Sequence, residues 1–389
     1  MKRLLLSLGV LLLMSLSVTT QAQNLSKDKF GKGLTIDAAD SSFAVKFGFR
    51  FQTLYVGEMN AVTNAYEDNF LTRRARLKFD GFAYNPAIQY KVELALSNRD
   101  HSSGQIDESK NTANIVLDAV MKWDFTDNWS IWFGQTKLPG NRERVISSQK
   151  LQFVDRSLVN SRFNLDRDLG VQLHHTSKTG GMVWNQAIAV SMGEGRNITE
   201  PNPGGGYEFT GRIEFLPFGD FSGGGDYFGS DLKRENTPKL SIGVSGDMNY
   251  NSTRVNGNLG KFLIDSVGDY VTNDLGSVFA DMMFKYKGFS AMSEYAYRTT
   301  LNANNGFGTG TGFVFQAGYL LPSNWELAAR YTDIQKATGS ALKEQTEYTL
   351  GLSRYVVGHN LKVQTDISYD DFAASDNQWM FRFQTELAF

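Results

Sequence analysis

The chain lacks cysteine altogether and contains only 7 prolines in 389 residues. Without cysteine no disulfide can stabilise the fold, so a small disulfide-linked scaffold is excluded. The scarcity of proline suits a fold with many strands, because proline cannot donate to a strand ladder. After residue 22 the sequence also has no apolar run of the roughly 20 residues that a membrane helix needs. A bundle of membrane helices is therefore excluded as well.

The first 22 residues have the pattern of a targeting signal. Lys2 and Arg3 precede an apolar run over residues 4–18, and the small residue Ala22 ends the segment. Such a run is too short to span a membrane and is typical of a cleaved signal. We therefore expect a signal peptide over residues 1–22 and an exported mature chain that begins near Gln23.

Glycine and aromatic residues are abundant, with 38 Gly, 28 Phe and 16 Tyr. This composition favours many short strands joined by tight turns, with bands of aromatic residues. The charges nearly balance, since 39 basic residues face 41 acidic ones. Such a balance argues against nucleic acid as a partner. A charged partner would have to be recognised by a local cluster of residues of the opposite charge.

A two-residue alternation of apolar and polar side chains runs through the chain. Tyr90 and Val92, for example, alternate with Lys91 and Glu93. Successive residues of a strand point to opposite faces, so each such run has an apolar face and a charged face. We count about sixteen runs, an even number within the range of single-chain outer-membrane barrels. They begin near residues 43, 70, 86, 113, 128, 168, 182, 207, 238, 274, 288, 311, 323, 345, 359 and 376.

The connections between these runs are alternately short and long. Outer-membrane barrels have this pattern, with short periplasmic turns and longer external loops. One insertion, residues 217–237, breaks the rule, because it is long yet falls on the short-turn side. The pattern predicts an all-β protein, a transmembrane antiparallel β-barrel of about 16 strands over residues 43–389. A short periplasmic segment, residues 23–42, is expected to precede it.

The last strand carries the most specific local signal. Trp379, Phe381 and Phe383 share one face with the terminal Phe389. An exposed aromatic face of this size would favour aggregation in water, and it resembles the strand by which outer-membrane barrels are recognised for assembly. We expect a barrel in the bacterial outer membrane, in contact with lipid and lipopolysaccharide, whose C-terminal strand binds the assembly machinery.

The longest connection, residues 137–167, follows the fifth predicted strand. Its many apolar residues need a surface to pack on, which argues against disorder. We predict that this third extracellular loop folds into the barrel and narrows the channel. Basic residues outnumber acidic ones in the loop, and they include Arg142, Arg144, Arg156 and Arg162.

A basic wall is predicted beside this loop. If the aromatic residues of the first strands face lipid, the alternation turns another set toward the lumen, namely Arg50, Arg74, Arg76, Lys78 and Lys91. With the four loop arginines they form the candidate anion-binding, pore-lining set, because basic rings select anions and arginine pairs well with phosphate or carboxylate. Alternatively, these bases only neutralise acidic residues in a structural network, namely Glu93, Asp118, Glu143 and Asp155.

Several stretches resemble the phosphate-selective porin O and P family. They are "FGKGLTI" after the signal, "FGFRFQ" from Phe47, "LTRRARLKFDG" from Leu71, "WFGQTKLPGNRERVISSQKLQFVDRS" from Trp132 and the C-terminal strand. The resemblance spans essentially the whole mature chain. It implies a sixteen-stranded homotrimeric porin whose inward loop and adjacent wall are basic, and it implies a binding role for Arg74, Arg76, Arg142 and Arg144.

Three functions remain to be compared. The preferred one is an outer-membrane porin for passive diffusion of small solutes, with a preference for anions such as phosphate or related oxyanions. The alternatives are a general non-specific porin and a surface receptor or adhesin barrel with a narrowed lumen. An enzyme is not expected, because His174 and His175 are adjacent on a strand and point to opposite faces, while His101 and His359 lie in connections. No cofactor and no metal site are predicted.

Overall fold

The computed structural model describes residues 24–25, 30–97, 100, 114–198, 205–304 and 306–389. The predicted signal peptide, residues 1–22, lies outside the described residues, and so does His101. Two short strands, β1 (Asn24–Leu25) and β2 (Leu34–Asp37), precede sixteen longer ones. The longer strands are β3 (Phe43–Asn60), β4 (Tyr66–Ala83), β5 (Asn85–Ala95), β6 (Val116–Asp124), β7 (Trp129–Lys137), β8 (Arg167–Thr179), β9 (Met182–Ser191), β10 (Glu208–Leu216), β11 (Lys239–Ser252), β12 (Asn273–Tyr286), β13 (Phe289–Thr300), β14 (Gly310–Leu320), β15 (Trp325–Lys336), β16 (Gln345–Val357), β17 (Leu361–Phe372) and β18 (Gln378–Ala388).

The sixteen longer strands form a closed antiparallel barrel. Each strand pairs with the next one along the chain, and β18 also pairs with β3, from Asn60 opposite Gln378 to Arg50 opposite Ala388. Closure removes the free sheet edges and lets every strand satisfy its backbone hydrogen bonds inside a membrane. The predicted barrel of about 16 strands is confirmed.

Side chains alternate between the two faces of the barrel wall. In β15, Glu326 and Arg330 are buried in the interior, whereas Leu327 and Tyr331 are exposed on the outside. Exposed aromatic side chains gather near both ends of the strands, among them Trp123, Trp129, Trp184, Tyr319 and Trp325 at the short-turn end and Tyr66, Tyr207, Tyr297, Tyr348 and Trp379 at the other. Two such girdles are typical of the membrane interfaces of outer-membrane barrels.

The connections differ in length at the two ends of the barrel. At one end β8 and β9 are joined by Gly180 and Gly181 alone, both with positive φ, a conformation that glycine adopts without strain. At the other end the connection between β7 and β8, residues 138–166, is the longest of those whose residues are all described. The short-turn end also carries the insertion between β10 and β11, residues 217–238.

The two ends of the barrel sequence meet at β3. Residues of β2 pair with the beginning of β3, from Leu34 opposite Phe47 to Asp37 opposite Ala44. Phe389, just after β18, exchanges two backbone hydrogen bonds with Phe49, of 2.9 and 3.0 Å. The short strand β2 therefore pairs with the part of β3 that β18 does not reach, and it lies end to end with β18.

Helix is scarce. The α-helices of the described residues are Arg142–Val145 and Leu158–Phe163, both within the connection 138–166. None of the helices in the described part of the chain is long and apolar enough to cross a membrane.

The interior of the barrel is partly filled by chain. The connection 138–166, called the inward loop below, folds into the lumen. Its apolar residues Leu138, Val159, Phe163 and Leu165 join a buried cluster with wall residues that include Phe279, Val314 and Ile334. The main apolar core of this barrel therefore lies inside it, between the loop and the wall.

Candidate functional site

The inward loop crosses the lumen and is held by polar contacts on several sides. Asn141 donates to Glu294 of β13 at 2.9 Å, and Arg50 of β3 donates to Ser148 at 2.6 Å. Glu143 accepts hydrogen bonds from both the backbone and the hydroxyl of Ser157, which caps the helix Leu158–Phe163. These contacts fix the first half of the loop to the wall and join it to the second half.

Two cavities lie on either side of the inward loop. One, of about 430 Å³, faces the short-turn end and is lined by residues such as Lys122, Trp132 and His174. The other, of about 310 Å³, faces the long-loop end and includes Arg196 and Arg382 in its lining. The same four arginines border both cavities, namely Arg76, Arg144, Arg156 and Arg167. These four residues, the arginine ring below, therefore stand where the two cavities meet.

Three members of the arginine ring have carboxylate partners. Arg76 donates to Glu93 at 2.8 Å and to Asp100 at 2.6 Å. Arg167 binds Asp118 through two nitrogens, each at 3.0 Å.

Arg144 likewise donates to Asp166 at 2.6 Å. Such forked pairs hold the planar guanidinium groups in fixed orientations.

Arg156 differs from the other three. Its Nε donates to the carbonyl of Glu143 at 2.9 Å, and its Nη2 donates to the carbonyl of Ile146 at 2.6 Å. Among the described residues it forms no salt bridge. Burial lowers the pKa of Arg156 well below its usual value, and the neighbouring charges of Arg144 and Arg74 lower it further. Because arginine stays protonated in proteins, this position holds a positive charge that its surroundings compensate poorly.

Asp155, the residue before Arg156, ties the loop to strand β4. It accepts hydrogen bonds from Arg73 at 2.7 and 3.1 Å and from Arg74 at 3.1 Å. Burial alone raises the pKa of Asp155, but the charges of Arg73, Arg74 and Arg382 hold that pKa well below its usual value. The carboxylate therefore stays ionised and anchored.

Two β-bulges lie beside the site. In the pairing of β3 with β4, Gln52 faces Arg74 and Thr53 faces Thr72, so Arg73 is an extra residue. In the pairing of β5 with β6, Leu117 is extra in the same way. Both extra residues line the cavity at the long-loop end. A bulge re-aims a side chain, and here it lets consecutive arginines of one strand face the lumen.

The predicted wall residues all reach the lumen cavities. Arg50, Lys78 and Lys91 line a third cavity, near the short-turn end, together with Arg76. Arg74 lines the cavity at the long-loop end. Several of these bases are also paired with acids, since Lys78 binds Asp80, Lys91 binds Glu93 and Asp118, and Arg50 binds Glu386. A structural network of charges, the alternative weighed from the sequence, is therefore present beside the cavities.

Arg142 is not where the loop composition placed it. Arg142 is fully buried, and it donates to Asp281 at 2.6 Å and to Glu214 at 2.8 Å. It borders neither of the two cavities, and neither does Arg162. The assignment of Arg142 as a pore-lining residue is corrected, because inward-facing carboxylates of β10 and β12 take up its donors.

The structure adds basic residues that the sequence analysis did not select. They are Arg73, Arg167, Arg196 and Arg382, all at the cavity on the long-loop side, and Lys122, Lys137 and Arg212 at the other. The inward position of Arg382 follows from alternation alone. Arg73 depends on a bulge and Arg196 on the path of a loop, and neither leaves a periodic signal.

The cavity at the long-loop end is strongly cationic. Eight arginines line it, against the two carboxylates Asp100 and Asp155. Fixed guanidinium groups around a wet passage attract oxyanions and can donate paired hydrogen bonds to them.

Comparison with known proteins agrees with this architecture. The sequence model of the family described as phosphate-selective porin O and P matches residues 45–373. The chain belongs to this family. An uncharacterized protein of Aquifex aeolicus (strain VF5) is 22% identical to it over 359 residues, which cover 86% of this chain and 84% of that protein.

Solved structures share the fold at low identity. One is a loop L8 deletion mutant of OmpT, an outer membrane protein of Vibrio cholerae, with a TM-score of 0.59 and 12% identity. The match covers 90% of this porin and 100% of the OmpT chain. The in-vitro folded OmpT in its trimer form gives 0.52 and 12%, with 89% of this chain and 99% of that chain covered. Family membership and the barrel support an outer-membrane channel rather than an enzyme.

Proposed function

We propose that this porin is a passive, anion-preferring pore for small solutes and that the arginine ring is its selective constriction. The proposal rests on one observation, that the four arginines which border both cavities stand between them. A solute passing from one cavity to the other would meet these four side chains. Arginine suits the task because its charge persists at physiological pH and its fork matches phosphate or carboxylate.

Arg156 is the residue on which the anion preference depends most in this proposal. The charges of Arg76, Arg144 and Arg167 are each partly neutralised by a carboxylate. Arg156 instead binds backbone carbonyls, so more of its charge acts on a passing ion. If pairing neutralised the ring completely, the protein would be the general non-specific porin of the alternative.

Single-channel recording in a salt gradient tests the proposal. We expect an anion-selective reversal potential for the unaltered protein and a smaller one for Arg156→Gln, which keeps a polar side chain but removes the charge. Arg162→Gln is the matched control, because Arg162 lies in the same loop but borders neither cavity. A cation-selective reversal potential of the unaltered protein would overturn the proposal.

Phosphate selectivity needs a separate measurement. Phosphate added during chloride conduction should reduce the chloride current if the arginine ring holds an oxyanion, and Arg156→Gln should weaken this block. Conduction without block at any phosphate concentration would leave a general anion pore.

We further propose that the porin is a homotrimer in the outer membrane, in contact with lipid and lipopolysaccharide. The support is the trimer form of OmpT, which shares the fold. The C-terminal strand that ends at Phe389 is the proposed contact with the assembly machinery. Cross-linking of the protein in native membranes tests the trimer.

A further inference from the structure

The insertion 217–238 begins at the short-turn end and folds back into the lumen of the barrel. Its residue Phe221 belongs to a buried apolar cluster that contains wall residues Leu216 and Met283. The same cluster contains Ile146 and Leu151 of the inward loop. One apolar cluster thus joins three parts of the molecule, the wall, the inward loop and the insertion.

Polar contacts attach the insertion to the inner wall. Ser230, which is buried, donates to Glu326 of β15 at 2.6 Å and also contacts the hydroxyl of Tyr355 of β16. Lys285 of β12 donates to the carbonyls of Ser230 and Gly225 at 2.8 and 2.7 Å. The insertion therefore reaches strands well beyond β10 and β11, between which it begins and ends.

The insertion also touches the inward loop directly. The backbone nitrogen of Gly229 donates to the carbonyl of Lys150 at 2.7 Å. A side-chain carbon on Gly229 would lie 2.5 Å from the backbone nitrogen of Gln152, so only glycine allows this approach. The ammonium group of Lys150 lies 3.7 Å above the ring of Phe228. The two segments are packed backbone to backbone.

The lumen is consequently unequal on its two sides. On the side of β12, the inward-facing Lys285, whose ammonium group binds carbonyls of the insertion, is 1% exposed. Lys362 of β17 is 0% exposed, and its ammonium group binds the carbonyl of Leu151 in the inward loop that the insertion supports. On the side of β4 and β5, the side chains of Lys78 and Lys91 are 43% and 26% exposed. Inward-facing lysines of the wall are thus buried on one side of the lumen and partly exposed to solvent on the other.

We propose that the insertion 217–238 is a second inward segment, which closes one side of the lumen and supports the inward loop from the short-turn end. The solute path is then confined to the side of the wall that runs from β18 through β3 to β10, where the arginine ring lies. Tyr227 of the insertion borders this path, because it lines the cavity at the short-turn end and its hydroxyl donates to Glu214 at 2.6 Å. The inference rests on the proposed pore function.

Replacement of residues 217–238 by two glycines tests the inference, since two glycines already join β8 to β9. The replacement should leave the heat-resistant mobility of the barrel on gels intact. Because a sixteen-stranded wall alone leaves an aqueous channel, single-channel conductance should rise by about twofold or more. Uptake of a neutral trisaccharide into liposomes should also become faster. Unchanged conductance and uptake in a folded barrel would overturn the inference.

A point variant covers the case in which the replacement does not fold. Gly229→Val forces the insertion and the loop apart at Gln152 and should also raise conductance. Asn236→Val is the matched control, because Asn236 is exposed in the same segment. A folded Gly229→Val barrel with the conductance of the control would contradict the inference.

The two proposals fail in different ways. A rise in conductance and sugar uptake without any anion preference in the unaltered protein would uphold the role of the insertion and overturn the anion selectivity. An anion preference with unchanged conductance after replacement would do the reverse.

Discussion

Asp155 of the inward loop and Arg74 of β4 form a salt bridge of 3.1 Å that joins the loop to the barrel wall. Arg73 binds the other oxygen of the same carboxylate at 2.7 Å. The backbone nitrogen of Arg156 donates to Asp155 as well, at 3.0 Å. The position of Arg156 in the arginine ring therefore depends on one carboxylate that two consecutive arginines hold.

Asp155→Asn should loosen the loop at neutral pH. The substitution removes the charge that Arg73 and Arg74 bind while it keeps the size of the side chain. We expect larger current fluctuations in single-channel records at pH 7. Asp220→Asn is the control, because Asp220 forms an exposed salt bridge with Lys178 at the short-turn end. Equal fluctuations in both variants would contradict a tethering role for Asp155.

The salt bridges of Asp155 with Arg73 and Arg74 also lead to a prediction of how the unaltered pore responds to acid. The pKa of Asp155 is lower in the folded protein than in the unfolded chain, despite the opposing effect of burial. The stabilisation is therefore complete above the unfolded value of about 3.9 and is lost only as the pH falls through the lower, folded value. Current fluctuations of the unaltered protein should stay constant between pH 7 and about 4.5. An onset of fluctuation near pH 6 would contradict this assignment.

The aromatic ring of Phe153, in the inward loop, packs against Gly351 of β16. A side-chain carbon at Gly351 would lie 2.9 and 3.0 Å from ring carbons of Phe153. Gly351→Val should displace Phe153, and overpacking of this kind costs about 1–3 kcal/mol. Gly246→Val is the control, since a side chain there meets open space. The measurement is the temperature at which the barrel loses its compact mobility on gels, which should fall for Gly351→Val alone.

Arg142 should matter for stability rather than for selectivity. Arg142→Met removes one of the two arginines that bind Asp281 and Glu214, while Arg212 continues to bind both carboxylates. Because Arg212 still compensates the two charges, the loss of stability should be smaller than the roughly 3–5 kcal/mol that an unpaired buried charge costs. Urea unfolding in lipid vesicles, followed by tryptophan fluorescence, measures the loss. Arg162→Met is the control. An unfolding free energy equal to that of the control would contradict the structural role, and a changed reversal potential of the folded protein would contradict its exclusion from the pore.

Local periodicity predicted the wall well. The alternation along β4 and β5 turned Arg76 and Lys91 toward the lumen, and the structure has both at the cavities. The pleat of a strand is a local property, so a single sequence carries it. The alternation of short and long connections likewise predicted that one end of the barrel has short turns and the other has long loops.

The contents of the lumen could not be predicted in this way. Arg142 is buried because Glu214 and Asp281, which lie far away in the sequence, face it from two other strands. The insertion 217–238 looked like an overlong turn, since its contacts with Glu326 and Tyr355 exist only once the barrel has closed. Contacts of this kind depend on the register of several strands together.

The bulge at Arg73 offers a test of how the wall positions the constriction. Deletion of Arg73 should restore regular pairing of β3 with β4 and keep Arg74 inward, because Thr72 and Arg74 already face Thr53 and Gln52 in alternation. Asp155 would then lose two of the hydrogen bonds that hold it. We expect a folded barrel with a smaller anion-selective reversal potential and larger current fluctuations than the unaltered protein.

Arg73→Gln separates the bulge from its charge, because it keeps the extra residue and removes the cation. If the tether is electrostatic, the deletion and Arg73→Gln should reduce anion selectivity to a similar extent. If the bulge itself positions the loop, the deletion should have the larger effect on current fluctuations. A deletion variant with the selectivity and fluctuations of the unaltered protein would show that Arg74 alone suffices to hold Asp155.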